Sequence, residues 1–333
     1  MQVRLIISLI CISFYLGISS FSMCAQNQTA RDTTKSPQDS AEVEQPVIIY
    51  WSKKNTVGVN LSEVAFVNWN AGGNNSISSL FYGQFERNYK KKLTSWKNYL
   101  SLRYGLNSQE GQEVRKTDDQ IQFKTTFGYR SDSVSNWYYS GNIDFRTQFA
   151  NGYKYPNTDA AISKFMAPGY LLIGVGTQFS HPDENFNAYI SPVTEKSTFV
   201  LDQRLANEGA FGVDPAQYDE LGNLIEEGNK VRSEFGFLVT SDFKKQVFPN
   251  VNMNTQISLY SDYLRDFGNI DVDWQLNFDM KVNDFIKANI GSHLLYDNDV
   301  KYKEDTNGDG ELETLGARVQ WKQLLGIGFT YVF

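Results

Sequence analysis

Cysteine is almost missing. The chain of 333 residues holds two, Cys11 and Cys24. Both fall in a leading segment that reads as an export signal, so the mature chain is expected to contain no disulfide and to be held by packing and hydrogen bonding alone. No long run of basic residues occurs and the formal charge is -7, which sets nucleic acid aside as a partner. No apolar run reaches the roughly 20 residues that a spanning helix needs. A mean hydropathy of -0.42 likewise excludes a helical membrane bundle. A membrane barrel survives that test, because its polar lumen dilutes the average. What is plentiful is aromatic side chain: 23 Phe, 19 Tyr and 6 Trp.

Residues 1–25 have the form of a signal peptide. Arg4 supplies the basic start, 5–18 is the apolar stretch, and Met23, Cys24 and Ala25 resemble a cleavage site. Lipidation of Cys24 is the rival reading. Residues 26–49 are rich in Gln, Thr, Ser, Asp and Pro and too polar to order themselves, which suggests a periplasmic tether.

From residue 50 onward the chain counts in twos. In 137–149, Trp137, Tyr139, Ile143, Phe145 and Phe149 share one face, and Ser140, Asn142, Asp144 and Arg146 share the other. Successive strand side chains point to opposite faces, so each such segment has a greasy side and a charged side. The pattern recurs until twelve strands are counted. Val57 to Phe66 changes phase near Glu63, which suggests a bulge. The strand from Phe186 is short and is stopped by Pro192, leaving a loop of 39 residues over 191–229, with continuation through Phe199 as the open alternative. Short and long connections alternate, and exterior aromatics gather at both strand ends: Trp96, Trp137, Phe179 and Phe243 at one, Tyr104, Tyr263 and Trp321 at the other. The expectation is an all-β fold, a transmembrane up-and-down antiparallel β-barrel of about twelve strands over 50–333, in the outer membrane with both termini periplasmic. A soluble β-sandwich would alternate too, but has no reason to collect aromatics at both ends of its strands.

Three segments carry a resemblance. Asn68-Trp69-Asn70-Ala71-Gly72-Gly73-Asn74, Gly209-Ala210-Phe211-Gly212-Val213 and the closing Arg318 to Gly328 are similar to the Bacteroidota outer-membrane family called domain of unknown function 3078, over about 50–333. The resemblance implies an outer-membrane β-barrel, and it transfers no activity and no catalytic residue.

The parity of the strands selects lumen-lining candidates: Arg103, Lys124, Arg130, Arg146, Lys281, Lys287, Arg318 and Lys322 among the cations, Asp144, Glu234, Asp242, Asp271, Asp273 and Asp279 among the acids, and His293. Mixed signs can pair across the lumen and close it, or line a narrow wet path. The 191–229 loop is long enough to fold in as a plug. His181, before Pro182, reads as a turn residue. A lipid hydrolase would need its histidine near a serine on the lipid-facing wall, and His293 has the opposite parity. Residues 305–311 match the start of a calcium loop, but the bidentate glutamate of position twelve is replaced by Gly316, so an Asx/Gly turn is favoured. The leading expectation is passage or binding of a small solute through a narrow polar lumen, with no cofactor and no catalysis. The alternatives are a plugged structural or surface-interaction barrel and a lipid-modifying enzyme. Expected partners are outer-membrane lipid and the barrel assembly machinery, which would read the last strand ending at Phe333.

Overall fold

The computed structural model describes residues 50–66, 74–181, 185–265, 267–304, 306–307 and 313–333. The expected signal and tether, residues 68–73 of the first family motif, and most of the 305–311 segment lie outside the described residues. Twelve strands close into one barrel. They are β1 (Trp51–Val64), β2 (Ser76–Lys91), β3 (Thr94–Gln109), β4 (Arg115–Tyr129), β5 (Trp137–Thr147), β6 (Gly169–His181), β7 (Phe186–Phe199), β8 (Val231–Phe248), β9 (Val251–Asp262), β10 (Asp271–Lys281), β11 (Ile286–Tyr296) and β12 (Gln320–Val332). Each strand pairs antiparallel with its neighbour in sequence, and β1 pairs with β12 to close the ring. Closure leaves no sheet edge, which is how backbone polar groups are satisfied where no water is present.

The alternation explains why the sheet curls this way round. Along β5 the odd positions Trp137, Tyr139 and Ile143 are exposed, while Ser140, Asn142 and Asp144 are buried. The same phase exposes Phe81, Phe127, Val175, Phe235, Leu325 and Ile327 on other strands. A water-soluble protein hides such residues; a wall facing hydrocarbon displays them. Three exterior indoles support the lipid-facing reading. Trp96 Nε1 donates to Thr125 Oγ1 at 2.8 Å, Trp274 Nε1 to Thr255 Oγ1 at 3.0 Å, and Trp321 Nε1 to Ser292 Oγ at 2.9 Å. Each of these three N–H groups is paired with a hydroxyl on the neighbouring strand and is not offered bare to lipid.

Two expectations need correction. The phase change near Glu63 is not a bulge: β1 and β2 stay in continuous register from Trp51↔Tyr89 to Val64↔Ser76. For β7 the open alternative holds, and the 191–229 loop needs new bounds: Pro192 does not stop the strand. It passes through that residue to Phe199, and the pairing slips against both neighbours, between Val175 and Thr177 of β6 and between Gly236 and Leu238 of β8. Proline has no N–H for the ladder, so a bulge is where a sheet tolerates it. Ser191, fully buried, takes up the slack: its hydroxyl lies 2.9 Å from Val175 O and 2.8 Å from Val193 O, and accepts from Thr194 Oγ1 at 2.7 Å. The slip moves the interior face from odd residues (Tyr189, Ser191) to even ones (Thr194, Lys196). The long connection is therefore 200–230 rather than 191–229.

The parity of β5 is directly testable. Ile143→Arg is expected to cost about 2–4 kcal/mol, because a guanidinium at mid-wall faces hydrocarbon. Asn142→Arg, on the lumen side, is expected to cost much less. Denaturant unfolding of the two variants in lipid vesicles measures the difference, and equal losses would contradict the assignment of faces.

Candidate functional site: a lumen crossed by an ion-pair bar

The interior is polar because every second strand residue had to be. Its centre is spanned by one guanidinium. Arg146 on β5 holds Asp144 of its own strand, through Nε to Oδ1 at 3.2 Å and Nη2 to Oδ2 at 3.1 Å. Its Nη1 donates to Asp273 on β10, nearly opposite in the ring. Gln122 steadies Asp144 with its amide at 3.1 Å from both carboxylate oxygens, and His293 Nε2 lies 2.9 Å from Asp273 Oδ1. Gln122, Asp144, Arg146, Asp273 and His293 thus form a bar from β4 to β11. Arginine suits this role because its planar fork serves two carboxylates at once.

The bar divides the lumen. On the side of the long loops lies a cavity of about 600 Å³, and on the side of the short turns one of about 460 Å³. Asp144, Arg146, Leu172, Ser258 and Asp273 line both. The turn-side cavity is balanced in charge, with Lys97, Lys124, Lys244 and Arg146 against Glu86, Asp144, Asp242 and Asp273. Lys124 and Asp242 are 3.9 Å apart. The loop-side cavity is more acidic and is lined by Asp118, Asp119, Asp271 and Asp297 with Lys196 and Lys322.

The long 200–230 connection contributes a small apolar cap with its own core. Val200, Leu205, Ala206 and Val213 pack with Ala167, and Ala210 and Phe211 close over them. A short helix, α1 (Gln203–Asn207), is capped by Asp202, which accepts from Leu205 N at 3.1 Å and from Lys164 Nζ at 2.5 Å. The Lys164 hydrogen bond, with the helix N–H behind it, holds the Asp202 carboxyl below the usual carboxylate range. The stabilisation is therefore present above about pH 4 and fades as pH falls below it. Gly209 and Gly212 have φ of 66° and 87°, which glycine adopts freely, and Phe211 between them has φ of 58°. A bulky residue in the left-handed region is costly. Here the turn directs Phe211 against the cap core and into the lining of the loop-side cavity, and Arg232 Nη1 anchors it by donating to Gly212 O at 2.8 Å.

Most residues singled out by parity are placed at the lumen. Arg103 pairs with Asp118, and Lys322 reaches the same carboxylate at 3.3 Å. Asp279 accepts from Asn289 at 2.7 Å, and Lys287 stands opposite Gly328 at the short-turn end. Three are elsewhere. Arg130 is at the short-turn rim, bound to Ser135 O at 3.0 Å. Lys281 is exposed and pairs with Asp284 in the adjoining turn at 2.6 Å. Arg318 precedes β12 and its guanidinium lies 3.8 Å from the Tyr302 ring centroid. Strand ends run into turns, where alternation no longer sets direction. Sequence parity missed Lys196, whose phase is set by the bulge at Pro192, and Asp118, because β4 begins earlier than its apolar pattern does. His181 ends β6, with its ring 6.4 Å from that of Phe179. Phe333 closes the seam, with N donating to Asn55 O at 3.0 Å. Among the described residues no group of three or more His, Cys, Asp or Glu side chains is arranged to hold a metal ion.

A family model described as "Protein of unknown function (DUF3078)" matches residues 61–153. That stretch covers the end of β1, all of β2 to β5 and the start of the following loop. No curated protein matches the chain. Among solved structures, an outer membrane channel from Pseudomonas putida F1 is similar at 9% identity and a TM-score of 0.39, covering 89% of this chain and 100% of that one. The translocator domain of the autotransporter NalP from Neisseria meningitidis gives 9% and 0.34, covering 83% and 88%. The β domain of the Bordetella autotransporter BrkA gives 9% and 0.32, covering 84% and 98%.

Proposed function

We propose that the protein is an outer-membrane barrel that admits a small polar solute to a narrow lumen, and that the Arg146–Asp273 bar is the constriction controlling passage. The observation that carries this reading is the pair of cavities meeting at one removable ion pair. The short-turn side, where β1 begins and β12 ends, would face the periplasm, and the loops with their cap would face outward. In this reading His293 supports Asp273 within the bar and is not a hydrolase base. The packed cap favours one alternative, a sealed barrel with a structural or surface-interaction role.

Conductance separates the two. In planar bilayers the wild-type barrel is expected to pass a small current. The double variant Arg146→Ala/Asp273→Ala is expected to pass several times more, since both side chains that bridge the lumen are cut back. If the wild type and the double variant are both silent, the conduit reading fails and the sealed barrel stands.

A further inference from the structure

The exterior of the barrel carries two cations where alternation calls for apolar side chains. Lys53 on β1 and Arg87 on β2 are directly paired in register, two residues along from the Trp51↔Tyr89 pair. They therefore share the exterior face with those aromatics, and both are exposed. The Trp51 ring lies 5.2 Å from that of Tyr89 and 5.8 Å from that of Trp96 on β3, so an aromatic belt runs beneath the two cations. Two residues of rise set them about 7 Å along the strands from that belt, toward the middle of the wall. The row beyond them is apolar again, with Phe85, Leu100 and Phe123 side by side on β2, β3 and β4.

Like charges directly opposite each other on paired strands repel, and a wall facing hydrocarbon offers little water to screen them. The chain itself does not compensate them. Among the described residues no carboxylate pairs with either one. Glu86, next to Arg87 in sequence, lines the turn-side cavity instead, and Glu63 stands at the far end of β1. Hydrogen bonding leaves the pair short as well. Arg87 Nη1 donates to Glu86 O at 2.7 Å, which uses one N–H of a guanidinium that has several. Further round the same row the polar groups satisfy one another: Asn98 Nδ2 donates to Arg87 O at 3.1 Å, and Asn98 Oδ1 accepts from Thr125 Oγ1 at 2.8 Å. The surplus of charge and of donors is confined to Lys53 and Arg87.

We propose that this patch binds the phosphate of an anionic phospholipid. The two cations hold the phosphate between them, the guanidinium through its fork of N–H donors and the ammonium as a point charge. The rest of the headgroup reaches water past Trp51 and Trp96, and the acyl chains lie over Phe85, Leu100 and Phe123. Charge sets the preference among lipids. One phosphate leaves positive charge over, so a headgroup of net negative charge is favoured over a zwitterionic one, whose own cation adds to the excess. The order of the rows sets the source. Inorganic phosphate would meet the same two cations but gain nothing from the apolar row, so lipid is bound in preference to it. The site lies outside the lumen and does not depend on passage of a solute.

The test uses the full barrel refolded in maltoside micelles, with melting followed by heat-modifiable migration on gels. Added phosphatidylglycerol is expected to raise the wild-type melting temperature by roughly 3–6 °C more than chain-matched phosphatidylcholine does. Lys53→Gln/Arg87→Gln is expected to lose most of that gain. With phosphatidylcholine alone it should melt no lower than the wild type, because a repulsive pair has been removed. Lys245→Gln, which removes another exposed cation at the short-turn end of β8, should keep the gain. No gain in the wild type would overturn the site. An undiminished gain in the double variant, or its loss in Lys245→Gln, would reduce the effect to general surface charge and overturn it too. An equal gain from inorganic phosphate would overturn lipid as the ligand. Should the double variant not refold, native mass spectrometry of the wild type from an equimolar mixture of the two lipids gives a second arm. Phosphatidylglycerol should be retained several-fold more often than phosphatidylcholine, and equal retention would overturn the proposal.

Discussion

Arg146→Ala is expected to lower folding stability by about 3–5 kcal/mol, the largest loss from any single polar change in the barrel. The reason is the stranding of partners rather than the loss of one attraction. Asp144 is buried and Asp273 nearly so, and Arg146 is the cation that each of them contacts. With the guanidinium gone, Asp144 is left with the Gln122 amide and Asp273 with His293, which offset only part of each carboxylate's desolvation cost. Asp273→Ala in the same background should recover part of the loss, because one stranded charge disappears with it. Such non-additivity is what a shared network produces. Chemical denaturation of the single and double variants in lipid vesicles measures it. A double variant as unstable as the sum of its singles would mean that the three groups do not act as one bar.

Leu205→Ala is expected to cost about 2–5 kcal/mol, and to spend that loss on the cap alone. Leu205 is 2% exposed and sits at the centre of the cap core. Truncating it removes transfer energy and leaves a cavity in a cluster too small to relax around it. The barrel strands are secured by their own continuous ladders and do not depend on that cluster. Proteolysis should therefore cut the variant within 200–230 while its barrel keeps its heat-resistant migration on gels. If barrel and cap melt together, the cap is part of the barrel's cooperative unit.

Much of this molecule was legible in one dimension. Period-two alternation located all twelve strands, and the exterior phase of Trp137, Tyr139 and Ile143 named the wall that faces lipid. Alternation is local physics: each residue's direction follows from its neighbour's, so it can be read without knowing which strands meet. It failed where the backbone stops being regular. At Pro192 an inserted residue changed the parity of the rest of β7, hiding Lys196, and Arg130, Lys281 and Arg318 stand just past, at the very end of, and ahead of a strand.

Which side chains meet across the lumen is a different kind of fact. The sequence alone determined that Arg146, Asp144 and Asp273 point inward, because a strand in a barrel has one polar face and these residues are on it. That Arg146 bridges to Asp273 rather than to another of the inward acids depends on the register of every ladder between β5 and β10, including the slip at Pro192. Those registers add up around the ring and set the height at which opposite walls face each other. The same sum decides that Asp271 and Asp297 surround Lys196, and that the 200–230 loop sets Phe211 into the lining of the cavity above the bar. Local alternation chooses a side chain's face; only the closed ring chooses its partner.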